Sequence, residues 1–302
     1  MGMSLEKEVH TKEISGSSLK LSILLNLGIF LVEIVGGMLS GSLALLSDAF
    51  HNLADTFSLF LALFALQISL RGQTSQKTYG YRRAEVLAAL FNTLTLFGAS
   101  AYILKEAFER LFHPLPLHFS VAMGVAVAGL VGNLFSVFLL LPSSRTSFNV
   151  YSAFLHLFAD TLSSTAVVGG MLVVRWWGLA ILDPLLSMGI VVFMLSKAFP
   201  ILQKTLHILM QGAPLHVHPE VLKRRLEGIE GVKNVHHLHL WSLNEEEHYA
   251  ELHVVTDYST LKEVDTLRLR IADILHREFG IRHSTIQFEY GACEDESLIV
   301  RE

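Results

Sequence analysis

Cysteine is nearly absent from this sequence, which contains only Cys293. A single cysteine excludes a disulfide or a thiolate metal cluster within one chain. Charged residues are also scarce, at 17% of the chain, whereas soluble domains average about 25%. Residues 1–18 are polar and lack the apolar core of a cleavable signal peptide, so no such signal is expected. What dominates instead is apolar sequence, at 51% of the residues.

The sparse charge is unevenly distributed along the chain. Most of the first two hundred residues form long apolar blocks, whereas the segment from Gly212 onward has 10 Lys and Arg residues against 17 Asp and Glu residues. This division predicts two regions in two solvents, an apolar one in a membrane and an acidic one in water.

Long apolar helices are the main structural prediction, because about 20 apolar residues in a helix span a bilayer. Six blocks of the sequence are long enough: 19–39, 43–69, 84–111, 118–141, 149–174 and 178–199. Turn-forming or polar residues separate them at Ser40–Gly41, Arg71–Arg83, His113–Pro116, Pro142–Thr146 and Arg175–Gly178. We therefore expect a polar segment over 1–18, a transmembrane domain of six transmembrane helices over 19–211 and a separate domain over 212–302.

The positive charges predict the orientation, since cytoplasmic loops are enriched in Lys and Arg. One side of the membrane receives nine of them: Lys7, Lys12, Lys20, Arg71, Lys77, Arg82, Arg83, Arg145 and Lys204. The other side receives chiefly Arg110 and Arg175. Both termini are therefore expected in the cytoplasm.

The C-terminal segment predicts a small α/β sandwich of about 80 residues, a size that folds with modest stability and gains from dimerisation. The expected order is helix, strand, strand, helix, strand. The corresponding segments are Pro219–Gly228, Val235–Leu243, Tyr249–Val255, Leu261–Phe279 and His283–Phe288.

Two His-x-x-x-Asp pairs lie inside predicted spans: His51 with Asp55, and His156 with Asp160. A spacing of four places both side chains on one helix face. Two such faces offer two imidazoles and two carboxylates, a tetrahedral set that suits Zn²⁺. The set has no sulfur ligand for Cu(I) and too few oxygens for Ca²⁺. One pair alone is equally well explained as a structural hydrogen bond, but its duplication favours a metal or proton site, because ionisable groups are costly in a bilayer.

Other polar residues in the spans have simpler interpretations. Asp48 is a candidate supporting partner or entry ligand for the pairs, and Asp183 is expected to cap a helix before Pro184. Interhelical hydrogen bonding is the preferred account of the remaining ones, namely Asn26, Glu33, Asn92 and Asn133.

Six stretches of the chain match a known pattern: Ser47-Asp48-Ala49-x-His51-x-x-x-Asp55, Tyr79-Gly80-Tyr81-x-Arg83-x-Glu85, Asn149-x-x-x-Ala153-Phe154-x-His156-x-x-x-Asp160, Leu209-Met210-x-Gly212, the tail run from Val235 to Leu243, and Glu251-Leu252-His253-Val254. On these residues the chain resembles the cation diffusion facilitators, a family of zinc-exporting transporters, and within it the subgroup with His-Asp pairs on two helices. The similarity extends from about residue 18 to residue 290.

The resemblance implies a homodimer with a six-helix domain and a C-terminal cytoplasmic ferredoxin-like α/β domain, which exchanges zinc for protons. The sequence departs from the family pattern at two places, and both bear on how the protein handles metal. Residues 142–148 contain no histidine, whereas many relatives have a histidine-rich loop there. Position 51 is His rather than Asp, a choice that is associated in the family with a stricter preference for zinc over cadmium.

The tail is rich in histidine, with ten of the fifteen histidines after residue 200. His236, His253 and Glu289 fall on the strand segments where relatives bind regulatory zinc, with His237, His239 and His283 as further candidate ligands. A zinc site needs three or four converging ligands. The alternative is a set of strand-surface histidines without metal.

The function predicted from these observations is export of divalent cations, chiefly Zn²⁺, by alternating access and in exchange for protons. Preference for Cd²⁺, Co²⁺, Fe²⁺ or Mn²⁺, a membrane zinc sensor and a membrane metalloenzyme are the alternatives. No His-Glu-x-x-His motif occurs, so an enzyme is not expected. The expected partners are a second copy, membrane lipid, Zn²⁺ and protons, without nucleic acid, and a bacterial inner membrane is the expected location.

Overall fold

The computed structural model describes residues 21, 24–144, 148–179, 181–291 and 297–299. The predicted N-terminal segment 1–18, the start of the first span, Arg145 and Cys293 lie outside the described residues. Residues 1–63 and 91–201 form one compact unit, and residues 64–90 and 202–302 form the other. This division cuts three of the long helices.

The predicted apolar blocks are helical over most of their described residues. The helices are α1 (Leu24–Ser40), α2 (Leu43–Ser69), α3 (Ala84–Phe112), α4 (Phe119–Ser144), α5 (Phe148–Trp177) and α6 (Leu182–Leu209). Five of them are long and apolar enough to cross a membrane, and α1 is a shorter apolar helix of which the described part begins at Leu24.

These helices leave much of their apolar surface uncovered. In the most apolar 18-residue stretch of each of the five long helices, only 22–33% is buried in the protein. The mean hydropathy of these helices is 1.4 to 2.2. Large apolar side chains such as Phe60, Phe135 and Val192 are exposed. A surface of this kind is stable in lipid rather than in water. The predicted membrane domain is confirmed in this respect.

Most predicted breaks between the spans are confirmed. Gly41 has a φ of +73° in the turn between α1 and α2, and Gly178 has a φ of +66° directly after α5. Glycine tolerates this left-handed conformation because it lacks a Cβ atom. The 71–83 loop and the 113–116 segment are also non-helical.

The predicted end of the sixth span is wrong. We expect that span to end at residue 199, but α6 continues through Pro200 to Leu209. A proline removes one backbone hydrogen bond without forcing a helix to end when the turns on both sides are stabilised by packing. Thr205 and Ile208 are buried, so the additional turns do pack against the protein.

Asp183 caps a helix, but not its own. Its carboxylate accepts hydrogen bonds from the Leu43 amide at 2.8 Å and the Ser42 hydroxyl at 2.6 Å, both at the N-terminus of α2. An acidic side chain stabilises a helix N-terminus because the first amide groups lack partners and the helix dipole is positive there. Asp183 is buried, so the start of α6 fixes the start of α2.

The tail folds in the predicted order of elements. Its helices and strands are α7 (Pro219–Glu227), β1 (Asn234–Ser242), β2 (His248–Thr256), α8 (Leu261–Phe279) and β3 (Ile281–Tyr290). The sheet order is β1-β2-β3, with β1 antiparallel and β3 parallel to β2. The crossover through α8 allows the parallel pairing. This arrangement confirms the predicted α/β fold of the tail.

Local signals and burial account for the tail elements. Thr260 and Glu263 form a capping box at the start of α8, and Gly280 ends the helix with a φ of +70°. Leu267, Ile271 and Leu275, spaced four apart on one face of α8, are fully buried in the core of this domain. Burial of one face of the sheet therefore fixes the register of its strands. A fixed register holds side chains from different strands at defined positions beside one another.

Replacing Asp183 with alanine should lower the melting temperature of the full-length protein in detergent, measured by tryptophan fluorescence. Removal of an N-terminal cap costs about 0.5–2 kcal/mol, and here it also leaves three donors, the Ser42 hydroxyl and the Leu43 and Ala44 amides, without their acceptor. Asp273→Ala is the matched control, because Asp273 pairs with Arg277 on an exposed face of α8. Equal melting temperatures for both variants would contradict the role of Asp183.

Candidate metal centres

Helices α2 and α5 bring the two His-x-x-x-Asp pairs together. His51 Nε2 lies 3.1 Å from an oxygen of Asp160 on the opposite helix and 3.4 Å from an oxygen of Asp55 on its own helix. His156 Nε2 lies 3.2 Å from Asp55 and 3.8 Å from Asp160. Each imidazole is therefore closer to the carboxylate of the other helix than to that of its own.

The spacing of these atoms suits a small divalent cation. Bonds of about 2.0–2.1 Å in a tetrahedral zinc site place neighbouring ligand atoms about 3.3 Å apart, close to the nitrogen–oxygen distances of 3.1–3.8 Å observed here. Ligand atoms of His51, Asp55 and Asp160 all lie within 4.8 Å of one another. The Oδ2 atoms of Asp55 and Asp160 are shielded from solvent and have no well-aligned hydrogen bond among the described residues. A bound cation would satisfy them.

Burial is unequal across this group. The side chains of Asp160 and His51 are 1% and 9% exposed, whereas those of Asp55 and His156 are 25% and 43% exposed. One half of the group is therefore enclosed by protein, and the half that contains His156 is more exposed.

Asp48 connects the same two helices one turn away from the group. Its carboxylate accepts hydrogen bonds of 3.0 Å from the hydroxyls of Ser163 and Ser164 on α5, and Asn133 on α4 donates to Ser164. Asp48 is 2% exposed. Both of its oxygens are engaged by these hydroxyls, and this geometry fits the supporting role.

Most of the other polar side chains in the spans form interhelical hydrogen bonds, as predicted. Glu33 accepts a 2.7 Å hydrogen bond from Asn52, and Asn92 donates to Ser58. Glu33 also lies so close to Gly129 that a Cβ atom there would stand 2.3 Å from its Oε1 atom. The side-chain oxygen of Asn26, in contrast, is buried without a hydrogen bond among the described residues.

A second group of candidate ligands lies on the tail sheet. His236 on β1 and His253 on β2 are directly paired across the strands. Glu289 on β3 reaches both, with oxygens 3.3 Å from His236 Nε2 and 2.8 Å from His253 Nδ1. The three side chains are 1%, 18% and 19% exposed. These three predicted residues thus converge from three strands into a potential metal site.

A β-bulge changes the surroundings of this group. The β1 register shifts between His236 and His239, and His237 has a φ of +48°. The His237 ring stacks on the His253 ring at 4.5 Å between centroids and lies 5.0 Å from the His239 ring. His237 therefore borders the group, and His239 contacts His237. Alternation along a regular strand does not predict this placement.

His283 does not join the group. It lies opposite Tyr249 in the β2–β3 register, with ring centroids 5.3 Å apart. His248 is occupied elsewhere too, because its Nδ1 atom lies 2.9 Å from the Ser242 hydroxyl. Burial, reinforced by the neighbouring His216, lowers the pKa of His248.

Both the membrane region and the tail of the chain match models of known protein families. Residues 19–210 match the family model described as the cation efflux transmembrane domain. Residues 214–290 match the model described as the cation efflux protein, cytoplasmic domain.

Curated relatives cover most of the chain. The metal cation efflux system protein CzcD of Cupriavidus metallidurans is 37% identical over 277 residues, 92% of this chain and 87% of that protein. The zinc transporter ZitB of Escherichia coli is 39% identical, covering 88% of this chain and 85% of that protein. The cadmium, cobalt and zinc/H(+)-K(+) antiporter of Bacillus subtilis is 33% identical, covering 96% and 94%.

Replacing Asp48 with alanine should weaken zinc binding by the α2–α5 group about 10–100-fold, as is usual when a partner that orients metal ligands is lost. Titration calorimetry in a His253→Ala background restricts the measurement to the membrane group. The double variant Ser163→Ala, Ser164→Ala removes the same contacts and should behave alike. Thr95→Ala, on the exposed face of α3, is the control. Unchanged affinity in the Asp48 variant would refute this role.

Proposed function

The chain belongs to the cation diffusion facilitator family of cation efflux transporters, and we propose that within it this protein carries Zn²⁺ on His51, Asp55, His156 and Asp160 in exchange for protons. The observation that carries the proposal is the convergence of these two pairs, from two apolar helices, to nitrogen–oxygen distances of 3.1–3.8 Å. A membrane zinc sensor does not need such a group at membrane depth.

The donor set supports zinc as the main substrate. Two imidazoles and two carboxylates favour a tetrahedral ion of intermediate softness. The E. coli relative is named a zinc transporter, whereas the name of the B. subtilis relative adds cadmium and cobalt. Co²⁺ and Cd²⁺ therefore form the second candidate substrate class, since the same ligands accept them.

Charge balance supports exchange with protons. Zn²⁺ with two carboxylates and two neutral imidazoles sums to zero, and so do two carboxylates with two protonated imidazoles. Each imidazole already has a carboxylate of the opposite helix within 3.2 Å. Protons and zinc compete for the same nitrogens, because only the neutral ring binds metal. A group that is neutral in both states avoids the high cost of net charge in the bilayer.

Alternating access is the transport mechanism that we propose. Zn²⁺ enters from the cytoplasm, and a rearrangement of the helices then exposes the group to the opposite side, where protons replace the metal. The exposure of His156 beside the enclosed Asp160 provides one open side through which the ion exchanges.

The tail is proposed as a regulatory zinc site within a homodimer. His236, His253 and Glu289 supply three ligands, and a water, His237 or a residue of a second copy would complete the four that zinc prefers. Zinc binding there would stabilise one arrangement of two tails when cytosolic zinc is high. The expected setting is a bacterial inner membrane with both termini in the cytoplasm, as the distribution of Lys and Arg indicates.

Replacing Asp160 with asparagine should reduce zinc uptake into proteoliposomes to the level of protein-free vesicles, because the group loses a ligand charge that is 1% exposed. The variant keeps the shape of the side chain, so its elution volume in size-exclusion chromatography should match that of the unmodified protein. Asp273→Asn, an exposed acidic residue on α8, should transport normally. Undiminished uptake by the Asp160 variant would rule out this ligand.

Replacing His253 with alanine should remove one tightly bound zinc per chain while preserving uptake at saturating zinc. Metal content after dialysis, measured by mass spectrometry, reports the loss. His283→Ala is the matched control, since His283 lies on the same sheet outside the group. A variant that retains all its zinc would contradict the tail site.

A further inference from the structure

A basic cavity lies where the α2–α3 loop meets the tail sheet, within the unit formed by residues 64–90 and 202–302. Its volume is about 950 Å³, at the upper end of the usual range for ligand pockets. The loop supplies one wall and strands β1 and β2 supply another. Its lining residues include Lys77, Tyr81, Arg82, Arg83, Trp241 and Glu251.

Positive charge dominates this cavity. Lys77, Arg82 and Arg83 face it, whereas Glu251 is the carboxylate among its described lining residues. Arg82 is partly neutralised by Glu247, whose carboxylate lies 3.3 Å away. An excess of cations around a partly enclosed space attracts anions.

The Arg83 side chain has a hydrogen-bond donor that is not used by the described residues. Its Nε atom is shielded from solvent and has no hydrogen-bond partner among the described residues. A shielded donor without an acceptor is unfavourable, and a guanidinium group matches two oxygens of a phosphate with parallel hydrogen bonds. The Arg83 side chain is therefore suited to bind an oxyanion of a ligand.

The loop has a defined shape that preserves this wall. Thr74 and Lys77 exchange backbone hydrogen bonds of 3.1 Å, and the Gly80 amide donates to the Lys77 carbonyl at 2.9 Å. The Lys77 ammonium lies 4.6 Å above the ring of Tyr81. The basic residues are thus held by turns and an aromatic contact rather than by an extended flexible segment.

The position of the cavity favours a lipid as the source of the phosphate. Ile68 of α2 and Leu87 of α3 line it, so it adjoins the ends of two membrane-spanning helices. The tail matches a cytoplasmic domain, which places the cavity at the cytoplasmic surface. Anionic phospholipid headgroups lie at this level, and basic pockets beside helix ends bind them. Tyrosine and tryptophan are also enriched at this depth.

We propose that this cavity binds the phosphate of an anionic phospholipid headgroup, with Arg83 and Lys77 as its main contacts. The lipid would link the α2–α3 loop to the tail sheet from the cytoplasmic leaflet. Among the described lining residues, His239 neighbours the tail group, but none belongs to either set of converging ligands. The test therefore does not depend on zinc transport.

Native mass spectrometry of the full-length protein, titrated with phosphatidylglycerol or phosphatidylcholine of identical acyl chains, tests the proposal. The unmodified protein should retain phosphatidylglycerol preferentially. Arg83→Gln should weaken that retention about tenfold, the effect of losing one charge-assisted hydrogen-bonding partner, and Arg270→Gln should not. Arg270 lies on α8 and does not line the cavity.

A second variant and a competition experiment complete the test. Lys77→Gln, in an exposed loop, should also weaken phosphatidylglycerol retention and serves if the Arg83 variant fails to fold. Inorganic phosphate should compete only weakly, because it lacks the acyl chains that hold the lipid beside the helices. Equal retention of the two lipids, equal effects of the Arg83 and Arg270 variants, or binding of inorganic phosphate without any lipid preference would overturn the proposal.

Discussion

The contacts between imidazole and carboxylate across α2 and α5 are the constraint on which the rest of this protein depends. His51 with Asp160, and His156 with Asp55, bring four ionisable side chains together within apolar helices. Their mutual neutralisation makes burial in a bilayer tolerable. Because either protons or a divalent cation achieve that neutralisation, the feature that keeps the domain stable also provides its proposed transport chemistry.

The helices around this group are held by polar contacts that suit a membrane interior. In lipid the hydrophobic effect does not drive helices together, so hydrogen bonds and close packing must do so. Asp48 with two serines joins α2 to α5, Glu33 with Asn52 joins α1 to α2, and Asp183 fixes the start of α2 to α6. The helix α2, which carries two of the four proposed ligands, is thus fixed on several sides.

Sequence reasoning succeeded where the signal is local. The four-residue spacing of His51 and Asp55 determines that they share a helix face, and the helix predicted over Leu261–Phe279 has the observed bounds of α8. It failed where a distant partner decides the outcome. Asp183 caps α2 instead of α6 because of a contact across 140 residues, and α6 extends past Pro200 because its later turns are packed. The bulge that turns His237 onto His253 depends on the register of two strands, which no local pattern encodes.

The proposed transport chemistry requires that imidazole and carboxylate ligands hold zinc within the membrane domain. X-ray absorption at the zinc edge, on full-length protein with His236 and His253 replaced by alanine, tests this directly because the tail group is then disabled. We expect a four-coordinate zinc with two imidazole nitrogens and two oxygens at about 2.0–2.1 Å. A six-coordinate oxygen shell without imidazole scattering, or no retained zinc, would contradict it.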